Sequence, residues 1–274
     1  MVPFRNIRMD LMSSKEVAQY LKKKKTVLLP VGSFEMHGPL VPLGCDTFLD
    51  WGAALLLGEK WKVLVMPPIY YTYPGASGPW PGTVDISPEI THAYVKEVVK
   101  AVLKNGFRQV VLCASHGPLG FILQSVIRSV FQETGEVVIH ISPWKFLMPD
   151  DLTEKEFGRP MTEDLFVLAM MKVLGLHGAF DPKAKMEKRT EFSHPTISEL
   201  KRFGGTVPWY FNRDYQHTGF RTDISLRDAD RALAVIRAAL DRAGDLPKVF
   251  TKYQRAVAED LKKKPWAKDS IWSM

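Results

Sequence analysis

Four short runs of β-branched and aliphatic residues punctuate the first half of the chain: TVLLPV (Thr26–Val31), KVLVMPPIYY (Lys62–Tyr71), RQVVLCAS (Arg108–Ser115) and EVVIHISPW (Glu136–Trp144). None alternates cleanly between apolar and polar residues, as a strand with one wet face would. Each therefore reads as a strand covered on both sides. Helical patterns fill the intervals at Asp46–Lys60, Ser87–Gly106 and Gly120–Gly135. In the second of these, Ser87 suits the N-cap, Pro88 the first turn and Gly106 the stop. Strand–helix alternation of this kind predicts an α/β fold, a three-layer α/β/α sandwich with a mostly parallel central sheet and right-handed crossovers.

After Trp144 the pattern changes. Phe146–Pro160 reads as a polar connection, and Met161–Gly175 as a strong amphipathic helix. A stretch rich in Lys, Arg and aromatic residues runs from about Asp181 to Arg221; it reads as a lid or an oligomer contact. Ser225–Gly244 is a last long helix. The 274 residues suit one large α/β domain, with a core over about 1–244 and a C-terminal extension over about 245–274.

Composition excludes some classes and leaves others open. At 46% hydrophobic and 24% charged residues the chain is ordinary for a soluble globular protein. No apolar run reaches the length of a membrane span, and the first residues lack the basic-then-apolar layout of a signal peptide. With two cysteines, Cys45 and Cys113, no disulfide framework is indicated, so the cytoplasm is the expected location. The net charge of +7 raises the question of nucleic acid. Much of the excess sits in LKKKKT (Leu21–Thr26) and LKKKPWAK (Leu261–Lys268), neither interleaved with stacking aromatics, and both read as solvated helix ends or turns.

Chemistry concentrates where the strands end. In open α/β sheets, ligands sit beyond the carboxyl ends of the strands. The first strand runs into VGSFEMHGPLVPLGCD, with Glu35, His37 and Asp46; the third runs into CASHGPLG, with His116. Glu163 lies in the first turn of the Met161–Gly175 helix, where the helix dipole favours its charge and where it could reach the same rim. Each residue has a plain reading taken singly: a turn, a helix cap, a first-turn acid. Together, three carboxylates and two imidazoles suit Zn, Mn or Fe. The set exceeds what one catalytic zinc requires and fits two divalent ions sharing a carboxylate and a water of lowered pKa. Glycine and proline around the ligands stiffen the loop, which lowers the entropy cost of ordering it.

The stretch LLPVGSFEMHGPLVPLGCD resembles the signature loop of the creatininase family of metal-dependent hydrolases. WPGTVDIS (Trp80–Ser87), VVLCASHG, TEDLFVLAM and GFRTDISLRDADRAL resemble further segments of that family in the same order, to about Gly244. The resemblance implies a dinuclear centre held by Glu35, His37, Asp46 as the bridge, His116 and an acid assigned to Glu163. It also implies a homo-oligomer, often a hexamer, and a small cyclic substrate opened at a carbonyl by metal-bound water.

Two departures bear on the substrate. Family members commonly carry a Gly-Gly-Asn, or a Glu and an Asn, after the third strand's histidine, where this chain has Pro118 and Leu119. Many relatives also carry His-Ala-Gly before the later acid, where FGRPMTE has no histidine. That histidine is the family's expected proton shuttle in amide cleavage, and a departing amide nitrogen needs a proton. One branch of the family instead cleaves a carbon–carbon bond in an oxidised inositol, 3-dehydro-scyllo-inosose, where the leaving group is a stabilised enolate. The expectation leans to that chemistry. The competitors are cyclic-amide hydrolysis of the creatinine amidohydrolase type and a non-catalytic metal-binding member. Around the site, Ser115, Trp80 and Trp144 are candidate substrate contacts, each with a packing alternative, and His217 is a candidate proton donor. Cys45 and Cys113 read as small buried residues. His92, His140, His177 and His194 have no partner that the sequence identifies.

Overall fold

The computed structural model describes residues 2–181, 183–184, 196–204 and 224–263. Within residues Met1–Ala243, a compact unit, four parallel strands form the sheet: β1 (Thr26–Pro30), β2 (Leu64–Val65), β3 (Gln109–Cys113) and β4 (Ile139–Ile141), in the order β2-β1-β3-β4. Central β1 and β3 are buried throughout, which their unalternating apolar sequences require. They pair in register from Thr26↔Gln109 to Pro30↔Cys113. Their carboxyl ends are therefore neighbours, and the segments that follow them open at the same edge of the sheet.

The outer strands are shorter than their apolar sequences suggest. Beyond Val65 only an isolated bridge, Val31↔Ile69, continues the pairing. Pro67 and Pro68 have no N–H to donate to a ladder. At the other edge Ser142 and Pro143 end β4, and the chain turns into α5 (Trp144–Leu147).

Helices α3 (Pro88–Lys104) and α4 (Leu119–Thr134) bury one stripe each, Val95, Val99, Val102 and Leu103 on α3 and Leu119, Leu123, Val126 and Val130 on α4. This is the spacing of an amphipathic helix on a sheet. The Ser87 hydroxyl accepts the Ile90 N–H at 3.4 Å, and Gly106 follows the helix with φ +102°. Helices α2 (Cys45–Trp61) and α7 (Glu163–Val173) are apolar nearly all round and correspondingly interior, with every residue from Asp164 to Met171 buried. They touch backbone to backbone: a Cβ on Gly52 would lie 2.9 Å from Met170 Cβ and 3.0 Å from its carbonyl oxygen.

The connection expected over 146–160 contains a helix, α6 (Asp150–Phe157). Pro149 precedes it, Asp150 and Asp151 favour its positive end, and Gly158 closes it at φ +67°. The first lysine cluster follows α1 (Ser14–Leu21). Lys24 Nζ donates to the carbonyls of Trp61 (3.2 Å) and Lys62 (3.0 Å), satisfying the carbonyl end of α2. The expected 181–221 stretch lies largely outside the described residues; among those described it contributes α8 (Thr196–Arg202). Helix α9 (Asp228–Arg242) completes this unit. The second unit, Gly244–Met274, carries α10 (Leu246–Lys263), whose first turn is capped by Asp245 accepting the Lys248 N–H at 3.0 Å. No helix among the described residues is long and apolar enough to cross a membrane.

Candidate metal centre

The segment after β1 is anchored at both sides before it reaches the polar residues. Val31 N–H donates to Cys113 O (2.9 Å) and Gly32 N–H to Ile69 O (3.0 Å). Gly32 then passes against the first turn of α2 so closely that a Cβ there would sit 2.4 Å from Thr47 Cα. Glu35 N–H donates to Leu43 O, and Met36 N–H to Thr83 Oγ1. Glycine at 32 is thus a steric requirement, and the segment is tied to three elements.

These constraints gather Glu35, His37, Asp46 and His116, with Glu163 at the rim. His116 Nδ1 lies 3.1 Å from Glu35 Oε1 and 3.0 Å from Asp46 Oδ2. His37 Nε2 lies 3.4 Å from Asp46 Oδ1 and 3.9 Å from Glu163 Oε1. The two oxygens of Asp46 therefore face different imidazoles. Donor atoms from Glu35, Asp46 and His116 fall within 4.8 Å of one another, and so do donor atoms from His37, Cys45 and Asp46. Asp46 belongs to both groups. Glu163, on the first turn of α7, stands at the rim with its side chain 23% exposed, whereas Glu35, His37 and Asp46 are buried.

Burying so many like charges together has a cost, visible in the protonation equilibria. Burial, with the Asp46 charge adding to it and His116 opposing, pushes Glu35 up to about 8. Burial and then Asp46 push Glu163 up to about 8. Burial also works against ionised Asp46, but His37 and His116 outweigh it and hold Asp46 well below the usual carboxylate range. Burial would lower His116 too, yet Asp46 and Glu35 raise it to about 9. Burial dominates at His37 and lowers it. The cluster thus favours positive charge at the point between Glu35, Asp46 and His116.

Residues not anticipated from sequence support this arrangement. Ser33 Oγ lies 2.8 Å from Glu35 Oε1 and 2.6 Å from Asp46 Oδ2. Its hydroxyl thus stands between the two carboxylates and fixes their approach to each other. Ser77 donates to Glu35 Oε2. Asp50, one turn beyond Asp46 on α2 and fully buried, accepts the Ser115 N–H at 2.9 Å and so fixes the backbone next to His116. Burial raises Asp50 well above the usual range. Among the described residues no donor reaches its Oδ1. A serine or an aspartate is too common for sequence to single these three out. The periodicity of α2, which puts Asp50 on the face of Asp46, was the one available signal.

The remaining candidates sit as follows. Ser115 is occupied by internal contacts: its N–H goes to Asp50 and its Oγ accepts the Trp144 N–H at 3.3 Å. Trp144 packs edge-on against Phe166, centroids 5.5 Å apart. Trp80 is half-buried in the turn after Ser77, and its backbone N–H donates to Ser77 O. His217 and His194 lie outside the described residues. His92 and His140, for which sequence offered no partner, have one each: His92 Nε2 lies 3.3 Å from Ser129 Oγ, and His140 Nε2 lies 2.9 Å from Ala114 O. His177 lies in a 3-10 turn, His177–Ala179.

The family model described as creatinine amidohydrolase, Creatininase, matches residues 10–199. The chain belongs to the creatininase family. A creatininase-family relative, the 3-dehydro-scyllo-inosose hydrolase of Thermotoga maritima (strain ATCC 43589 / DSM 3109 / JCM 10099 / NBRC 100826 / MSB8), is 33% identical over 153 residues, 54% of this chain and 48% of the relative. The match thus spans about half of that relative's length. Two solved creatininases, a mutant of Zn-Zn type and a manganese form, superpose with a TM-score of 0.67 at 16% identity. The first alignment covers 88% of this chain and 97% of that one, the second 86% and 97%. At that identity the likeness establishes the α/β/α creatininase fold.

Proposed function

We propose that this creatininase-family chain is a hydrolase that uses two divalent ions to open a small cyclic carbonyl compound, and that its substrate is an oxidised inositol cleaved at a carbon–carbon bond. The observation that carries the dinuclear reading is Asp46: one oxygen faces His37, the other faces His116, and the residue is shared by both groups of donor atoms. Oxygen and nitrogen donors suit Zn, Mn or Fe, and three carboxylates held together in a largely buried site are the electrostatic complement of a cation, which would favour their ionised forms. Glu35, Asp46 and His116 would hold one ion. His37 and Asp46, with Glu163 at the rim, would hold the other. Divalent ions held there polarise a carbonyl and lower the pKa of water.

The protein's own residues set the geometry for that chemistry. Ser77 occupies one Glu35 oxygen, leaving Oε1 turned toward Asp46 and His116. Asp50 holds the Ser115 amide, and with it the approach of His116. Glu163, partly exposed, is the ligand candidate through which the interior of the site meets solvent. The relative named for 3-dehydro-scyllo-inosose supports the substrate class. So does the absence of histidine from FGRPMTE, because an enolate leaving group does not demand the proton that a departing amine does. Cyclic-amide hydrolysis of the creatinine type is the alternative within the same family. A homo-oligomer working in the cytoplasm completes the reading.

The test is turnover by the purified protein, supplied with manganese or zinc, on oxidised inositols and on creatinine in parallel. Ring opening of the inositol with no release from creatinine is the expected result. Creatinine hydrolysis would replace the substrate assignment. Metal bound at two per chain with neither ring opened would leave a binding protein in place of an enzyme.

A further inference from the structure

The two groups of donor atoms that share Asp46 are chemically unlike. The first, Glu35, Asp46 and His116, offers two oxygens and a nitrogen. The second adds sulfur: Cys45 Sγ, a ring nitrogen of His37 and a carboxylate oxygen of Asp46 lie within 4.8 Å of one another, and all three residues are buried. Bond lengths of about 2.3 Å to sulfur and 2.0–2.1 Å to nitrogen or oxygen place the ligand atoms of a tetrahedral ion roughly 3.5 Å apart. A small contraction of the second group meets that spacing. Cys45 and Asp46 are consecutive on the first turn of α2, where side chains project about 100° apart. A His37 ring nitrogen nonetheless lies within 4.8 Å of a donor atom on each.

The other cysteine shows what an inert buried thiol looks like here. Cys113, equally buried on β3, sits in the apolar core, and its sulfur points at the Val111 carbonyl 3.9 Å away. Cys45 instead stands beside Asp46, with a His37 ring nitrogen and an Asp46 oxygen both within 4.8 Å of its sulfur. We propose that Cys45 Sγ is a ligand of the ion held by His37 and Asp46. Binding breaks the S–H bond, forms a sulfur–metal bond and releases the proton to solvent.

The inference rests on the dinuclear reading above, and cobalt separates the two. Metal-free protein loaded with Co²⁺ should bind about two ions per chain and show an intense near-ultraviolet sulfur-to-cobalt charge-transfer band. Cys113→Ser should retain the band. Cys45→Ser and Cys45→Ala should lose it while still binding cobalt at the Glu35–Asp46–His116 position. Wild-type protein that binds two cobalt ions without the band overturns the sulfur ligand and leaves the dinuclear centre standing. Protein that binds no cobalt overturns both.

Discussion

Charged side chains in this protein follow opposite rules in two places. On the outer surface of α3 and α4, Lys96 and Lys100 both reach Glu133, at 2.6 Å and 2.7 Å. Opposite charges alternate there, and the two lysines hold Glu133 down at about 2. At the ends of β1 and β3 three carboxylates converge instead, and burial pushes two of them up to about 8. The surface triad is what a fold does with charge when it has only itself to stabilise. The strand-end cluster works against folding and makes sense for a chain that binds a cation there.

The largest expected effect breaks the cluster at its shared member. Asp46→Ala should take metal content from about two ions per chain toward none and abolish turnover, whereas Glu35→Ala should chiefly weaken one ion. Full metal content in Asp46→Ala, measured by elemental analysis, would end the bridging assignment. The scaffold comes next. Gly32→Ala forces a methyl onto Thr47 and should cost about 1–3 kcal/mol in denaturant unfolding, with metal affinity falling as the segment carrying Glu35 and His37 moves.

A smaller and more discriminating effect concerns Asp50. Its carboxyl is raised in the fold, so wild-type stability from this group is complete below the unfolded value near 4 and declines as pH rises above it. Asp50→Asn cannot ionise and should show a shallower loss of stability above about pH 5 than the wild type. Asp50→Ala should strand the Ser115 amide, cost about 1–3 kcal/mol and weaken metal binding roughly 10- to 100-fold. Equal pH profiles for wild type and Asp50→Asn would show that Asp50 is ionised in the fold. The smallest effect is at the surface triad. Glu133→Gln should lower the thermal midpoint only slightly, less in high salt, and leave metal content unchanged. Because Glu133 is depressed in the fold, its contribution exists above the unfolded carboxylate value and disappears as pH falls through about 2.

The same contrast explains what could be read from the chain beforehand. The core strands β1 and β3 and the helices between them carry their fold in local pattern, and Ser87, Pro88 and Gly106 mark the bounds of α3 within a residue or so. Prolines at 67, 68 and 143 cut the edge strands shorter than hydrophobicity implied. Helix α6 was taken for a connection because its residues are polar, although its acidic start and Gly158 are ordinary helix punctuation. At the site, Glu35, His37, Asp46 and His116 were legible because unusual residue types sit together after apolar strands. Ser77 and Asp50 were not: they act across 42 and 65 residues of chain, on Glu35 and Ser115 respectively, and only the tertiary fold creates those meetings. Cys45 is the small buried residue its type suggested, but a thiol beside an aspartate says nothing of the His37 nitrogen that the fold brings within 4.8 Å.

The close passage of Gly52 against Met170 locks the helix bearing Asp46 to the helix bearing Glu163 through main chain and not through adaptable side chains. Spacing between those two acids is then a property of the frame, indifferent to which groups line the mouth of the cleft. A lineage could therefore discard or swap residues around the mouth without moving the two acids relative to each other.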